Sequence, residues 1–199
     1  MAIKVQSYKF KKPDIRYLKD MKTGLYDKKW AKNAPNLDLY HMYRGVKKRN
    51  GLRYDITIIP PLMLGEEFIK TKGNCNSKNF QELYTVLRGK AIFLMQKMRN
   101  EAVKDIFALK AKKGDCVIVP PEYYVITINP SKKSLKIGNW VSEKNKNIYE
   151  KLEKMEGACY YYTKSGWIKN KKYGKIPQLR FEKPLKSSPK NLDFLYGNP

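Results

Sequence analysis

The chain has 199 residues, with 42 Lys and Arg against 18 Asp and Glu, a formal charge of +24, and 42% hydrophobic and 13% aromatic residues. That much apolar material excludes wholesale disorder. A net charge about three times the ceiling of roughly eight usual for a small domain calls for a polyanionic partner. The longest apolar stretch, Ile56 to Leu64, is broken by Pro60-Pro61 and is too short for a transmembrane helix, which needs about 18 or more residues.

Along the chain, the N-terminus runs straight into Lys4, Lys9, Lys11 and Lys12 with no apolar core, so it does not read as a secretory signal. Residues 1–60 carry +10, residues 61–162 carry +7 and residues 163–199 carry +7. From Leu52 onward strand candidates alternate with turn signals: Tyr54–Ile59, Glu67–Thr71, Glu82–Leu87, Ala91–Gln96, Val103–Leu109, Cys116–Val119, Tyr124–Asn129 and Leu135–Val141, separated by Pro, Gly and Asn clusters. Ser142-Glu143 signals a helix start, with Ile148, Leu152 and Met155 at helical spacing up to Gly157. Ala158–Thr163 and Trp167–Lys169 around Ser165-Gly166 predict a hairpin. The division expected is a basic N-terminal extension (1–51), a β-barrel domain (52–168) and a basic C-terminal extension (169–199). Cys75, Cys116 and Cys159 are widely spaced and odd in number, which predicts free thiols in a reducing cytoplasm.

Within the flanks, basic residues interleave with aromatics. Lys9, Lys11 and Lys12 follow Tyr8 and Phe10; Lys28 and Lys29 precede Trp30; Lys47, Lys48, Arg49 and Arg53 follow Tyr43-Arg44; Lys169, Lys171, Lys172 and Lys175 surround Trp167 and Tyr173. Such clusters neutralise phosphates and stack on unpaired bases. Lys outnumbers Arg 35 to 7, which favours backbone neutralisation over base readout.

In the core, Gly73-Asn74-Cys75-Asn76, Glu82 and Gly89, followed by Gly114, Pro120, Val125 and Asn129, carry the spacing of the two cupin motifs. With Thr71-Lys72-Gly73, Glu82-Leu83-Tyr84, Leu87-Arg88-Gly89 and Val119-Pro120-Pro121, the region 52–168 resembles the cupin-type glucose-6-phosphate isomerases of archaea. The resemblance implies an all-β, cupin-like jelly-roll barrel (a double-stranded β-helix) with a short C-terminal helix and basic extensions at both ends. It also implies a metal held by the two His of HxH, a Glu and a third His. Here those positions are Asn74, Asn76, Glu82 and Val125. A neutral amide oxygen is a poor substitute for imidazole and a valine offers no donor, so no metal and no cofactor are expected. Cys75 should face away from the Asn74 side of its strand. The lone His41 reads as a surface or capping residue, and Glu66, Glu67 and Glu82 as solvated or Lys-paired carboxylates rather than an acid–base group. Thr71, Lys72, Gly73 and Tyr84, substrate-contacting in the resembling family, are a remnant sugar-phosphate pocket or simply barrel wall.

Dismantled ligands and basic flanks together give the expectation of a non-catalytic RNA-binding protein on a cytoplasmic ribosome. It would contact rRNA and neighbouring ribosomal proteins with no membrane and no small-molecule substrate. RNA is not separable from DNA at this level. The competing expectation is a metal-dependent sugar-phosphate isomerase with an altered site.

Overall fold

The computed structural model describes residues 12–197. In chain order these form β1 (Asp14–Tyr17), α1 (Lys28–Asn33), β2 (Asp38–Arg49), β3 (Leu52–Ile59), β4 (Met63–Leu64), β5 (Glu67–Phe68), β6 (Asn74–Asn76), β7 (Glu82–Arg88), β8 (Lys90–Arg99) and β9 (Ala102–Lys112). There follow β10 (Cys116–Val119), β11 (Tyr123–Ile128), β12 (Leu135–Ser142), β13 (Asn147–Ile148), α2 (Glu150–Lys154), β14 (Tyr160–Thr163), β15 (Gly166–Lys169) and β16 (Arg180–Glu182), with a closing 3-10 turn at Asp193–Tyr196.

Two six-stranded sheets, ordered β1-β2-β3-β12-β7-β10 and β13-β6-β11-β8-β9-β16, are joined by a smaller sheet β15-β14-β5-β4. All their pairings are antiparallel except that of β16 with β9. This is an all-β, cupin-like jelly roll. Its sequence logic is clearest in β8, where Ala91, Phe93 and Met95 enter one core cluster and Ile92 and Leu94 the other. Side chains alternate along a strand, so a strand apolar on both faces must be covered on both. Between the two large sheets Phe93, Met95, Phe107 and Val125 meet Tyr84, Val86, Val117 and Ile137. Behind the second sheet, Leu152 of α2 with Cys159, Tyr160 and Tyr173 covers the outer face. Each large side chain fully buried in this way contributes about 1.5–3 kcal/mol.

The stretch expected as an N-terminal extension supplies β1 and β2 to the first sheet, and Leu18, Met21 and Leu25 behind β1 sink into the central core. The stretch expected as a C-terminal extension supplies β16 and Leu195, which is fully buried against Leu52, Leu83 and Cys116. Helix α2 begins at Glu150 rather than near Ser142, because β12 runs on to Ser142 and Asn147–Ile148 pairs with β6 before the chain can turn. The three cysteines are free and buried, and burial pushes the Cys75 thiol up to about 11 and the Cys159 thiol up to about 12. Among the described residues no helix is long and apolar enough to cross a membrane.

Candidate active site

A cavity opens between the two large sheets, and polar residues at alternate strand positions line it. On β7, Glu82 and Tyr84 point inward while Leu83 enters the cluster on the opposite face. On β3, Arg53, Asp55 and Thr57 line the cavity while Tyr54 packs at a tilt against Trp140, ring centroids 4.9 Å apart, behind it. On β2 the inward set is Tyr40, Met42 and Arg44, and β1 adds Arg16. From the facing sheet come Asn74 of β6 and Val125 of β11, paired directly across the ladder. Thr71, Lys72 and Gly73 form part of the rim together with Tyr149.

Charge in this cavity is unevenly compensated. Asp55, 3% exposed, accepts from Arg53 Nε (3.0 Å), Arg44 Nη1 (3.4 Å) and the Gly45 amide (2.7 Å). Arg44 also donates to Asp14 at 2.9 Å. Lys72 lies 2.5 Å from Glu153 on α2 and 5.2 Å above the Tyr149 ring, and its amide donates to the Tyr40 hydroxyl at 3.1 Å. Arg16 makes no ion pair with any described residue, and its buried Nε has no acceptor; its charge acts on the Tyr40 hydroxyl. Two further buried atoms on this cavity lack partners, Asn74 Nδ2 and Glu82 Oε2. Arg16, Arg44, Arg53 and Lys72 line the cavity with Asp55 and Glu82, while Asp14 and Glu153 pair with Arg44 and Lys72 from outside it, which leaves Arg16 without a carboxylate partner among the described residues.

Glu82 is 3% exposed, and burial pushes its carboxyl up to about 7. The Tyr84 hydroxyl and the Arg53 and Arg44 charges pull it back, while Asp55 adds to the rise. Burial first and the Glu82 charge second hold the Tyr84 hydroxyl well above its ordinary value. The pair therefore offers a carboxyl that exchanges a proton near neutrality beside a hydroxyl that stays protonated.

The spacing-derived positions Asn74, Glu82 and Val125 do converge on this cavity. Asn76 does not line it: its amide donates to Phe80 O (3.3 Å) and accepts from Asn145 Nδ2 (2.9 Å), a closed structural knot. Among the described residues no three His, Cys, Asp or Glu side chains gather to hold a metal. One carboxylate, one amide with its donor turned to the cavity and one valine do not fit a divalent transition metal. Cys75 faces the outer core, on the far side from Asn74 as alternation requires. His41 pairs with Asp38 at 2.8 Å and lies outside the cavity. Glu66 pairs with Lys164 at 3.6 Å, and Glu67 is buried against Lys70 and the Tyr26 amide, so these two do not join Glu82.

Lys9 and Lys11 lie outside the described residues. Lys12, Lys29, Lys47, Arg49, Lys169, Lys171 and Lys175 are exposed, Lys47 and Arg49 on β2, and Lys169 and Lys171 beside Lys28 and Lys172 around one surface pocket. Lys28 and Lys172 both pair with Glu156 (3.0 and 2.8 Å), Lys48 pairs with Glu143, and Arg53 turns into the cavity. The residues that sequence reasoning missed are Arg16, Tyr40, Arg44, Asp55 and Asn139. Of the inward-facing residues on β2 and β3, Arg44 and Arg53 entered the sequence reading only as members of a basic, phosphate-contacting cluster.

The family model described as glucose-6-phosphate isomerase matches residues 35–178. The chain is 33% identical over 128 residues to the glucose-6-phosphate isomerase of Thermococcus litoralis, a match covering 61% of this chain and 65% of that protein. It is 33% identical over 121 residues to the glucose-6-phosphate isomerase of Pyrococcus abyssi, covering 58% and 62%. The matched region thus spans a little under two thirds of these curated relatives. Among solved structures, an oxalate oxidase aligns with a TM-score of 0.46 at 9% identity over 57% of this chain and 56% of its own. The cupin domain of Schizosaccharomyces pombe Cnp3 aligns with a TM-score of 0.39 at 12% identity over 64% and 78%.

These relatives overturn the expectation of a non-catalytic, ribosome-associated protein with rRNA and ribosomal proteins as partners and no small-molecule substrate. They are named as enzymes of a sugar phosphate, and none is named for RNA. The physical source of the error is the location of charge. Summed along the chain it pointed to a polyanion, whereas Arg44, Arg53 and Lys72 are ion-paired around the cavity and Lys28, Lys48 and Lys172 are ion-paired on the surface.

Proposed function

The chain belongs to the glucose-6-phosphate isomerase family, and from that premise we propose that it interconverts an aldose phosphate and its ketose in the cavity between the sheets. The observation that carries this reading is the buried Glu82 carboxylate, whose Oε2 is unpartnered on a cavity bearing Arg16, Arg44, Arg53 and Lys72. A general base must be within reach of the proton it removes, and a carboxylate oxygen without a protein partner is free to take one from a ligand.

In the forward direction Glu82 takes the proton from C2 of the aldose. The C2–H electron pair becomes the C1=C2 bond, and the carbonyl pair moves onto O1. Return of the proton to C1 then re-forms a C–H bond as the O2 hydroxyl becomes the ketone and its proton passes to O1. Tyr84, kept protonated by burial, is the hydroxyl beside Glu82 available to relay it. Lys72 and the Thr71-Lys72-Gly73 rim receive the phosphate, with Arg44 adding charge from the other sheet. A dianionic sugar phosphate does not leave the cell unaided, so this reading carries a cytoplasmic location with it.

A coupled assay of glucose 6-phosphate and fructose 6-phosphate interconversion tests the proposal. Turnover should appear in the purified chain, and Glu82→Gln should lower kcat by about 10²–10⁴-fold, the worth of a positioned proton-transfer group. No turnover with either sugar between pH 6 and 9, or an unchanged rate in the Gln variant, would overturn it.

A further inference from the structure

Isomerisation through an enediolate puts negative charge on O1, and something electrophilic must meet it. The ligand set that the resemblance implies for a cation is absent from this site, so the electrophile has to come from elsewhere in the cavity. Three buried polar atoms there have no partner: Arg16 Nε and Asn74 Nδ2, both donors, and Glu82 Oε2, an acceptor. Buried polar groups are almost always satisfied, so each orphan asks for an explanation. Three of them on one cavity, two donors and one acceptor, form the complement of an α-hydroxycarbonyl group. Its carbonyl oxygen accepts from the two donors, and the proton that must move faces the acceptor.

We propose that Arg16 and Asn74 together form a metal-free oxyanion site that stabilises the developing enediolate. The inference rests on the isomerase reading and deepens it. Arg16 is singled out by its neighbours. Arg44 and Arg53 are both shared by Asp55, and Lys72 is held by Glu153, whereas Arg16 has no carboxylate partner among the described residues. Its guanidinium bonds the neutral Tyr40 hydroxyl, which leaves its Nε without an acceptor and its charge without a carboxylate. Asn74 lies on β6 of the second sheet and Arg16 on β1 of the first, so the two line the cavity from opposite sheets. No proton or electron is transferred to either residue; both donate hydrogen bonds that shorten as O1 gains charge.

Selectivity between two ligands provides the test, because a merely structural role would not alter it. The purified full chain is dialysed against EDTA, its metal content is measured by mass spectrometry, and calorimetry follows binding of arabinonate 5-phosphate and arabinitol 5-phosphate. The first carries a carboxylate in the position of the enediolate; the second has a neutral hydroxyl there and the same phosphate. The chelated wild type should hold less than about 0.1 metal per chain and should bind the aldonate at least about 100-fold more tightly than the alditol. Arg16→Gln should reduce that preference by about 30-fold or more while leaving alditol affinity within about twofold, and Asn74→Ala should reduce it less. Arg16→Lys, which retains the charge, should recover part of the preference and guards against a folding defect in the Gln variant. Loss of aldonate binding on chelation with recovery on adding zinc or manganese overturns the proposal. So does a variant that loses both ligands equally, or neither, while the isomerase reading survives. A wild type that binds neither phosphate brings down the isomerase reading itself.

Discussion

Glu82 is ionised against the preference of its surroundings. With its folded carboxyl near 7 and an unfolded value near 4.5, the native state holds a proton that the unfolded chain has released between those two pH values. Stability must therefore fall as pH rises from about 4.5 through 7, and the full cost is present above 7. Glu82→Gln removes the charge and should raise unfolding stability by up to about 3 kcal/mol at pH 8 and by nearly nothing at pH 4, as read by urea denaturation at both values. An inactive variant that is more stable only on the alkaline side is the signature of a functional group held under strain. At Gly73, φ is +81° and a Cβ would sit 2.7 Å from Ile126 and 2.8 Å from Leu152. Gly73→Ala should cost about 1–3 kcal/mol and shift Lys72 and Asn74 on either side of it, raising KM for a sugar phosphate several-fold in the same assay. At this scale Asn74, Glu82, Val125, Lys72 and Tyr84 were named in the sequence only through the family resemblance, which carries a site over position by position. Arg16 and Asp55 were not, since nothing local tells an inward arginine from the many outward ones.

The barrel strands β3, β5 and β7 to β12 were legible as elements because alternation and turn residues are local signals, whereas β4 and β6, two and three residues long, are too short to carry one. The terminal strands were not legible either. β1 has four residues, and β2 is interrupted by a register shift between Tyr43 and Lys47, where Gly45 takes φ +61° and its amide is held by Asp55. β16 pairs in parallel with a strand some seventy positions earlier, and no sequence window contains that partner. The closing segment lends itself to an energetic ranking. Arg180 forms two 2.9 Å bonds to Asp105 but is about half exposed, so Arg180→Ala should cost no more than about 1 kcal/mol. Leu195 is fully buried, and Leu195→Ala should cost about 2–3 kcal/mol in urea unfolding. A larger loss at Arg180 than at Leu195 would mean that the segment is held by charge rather than by packing.

At the scale of the whole molecule, +24 on 199 residues works against the folded state by self-repulsion and for the encounter with an anion. The two effects respond to salt in opposite ways. Raising NaCl from 20 to 300 mM shortens the Debye length from roughly 20 Å to below 10 Å. Tm should therefore rise over that range, while kcat/KM for a sugar phosphate should fall several-fold. Salt that lowered both would mean that weakening of the internal ion pairs outweighs relief of self-repulsion. The C-terminal segment has a further consequence at this scale. Arg180–Glu182 pairs with β9, the last barrel strand of one large sheet, and a few residues on Leu185 bridges Cys116 on β10, the outermost strand of the other. One short run of chain thus occupies hydrogen-bonding positions on two sheet margins at once. A proteolytic nick at the exposed Gly174-Lys175 that let this run detach would uncover both margins on an otherwise intact barrel. Unpaired strand margins recruit one another, so the nicked protein should accumulate as ordered, strand-paired aggregates well before its core melts.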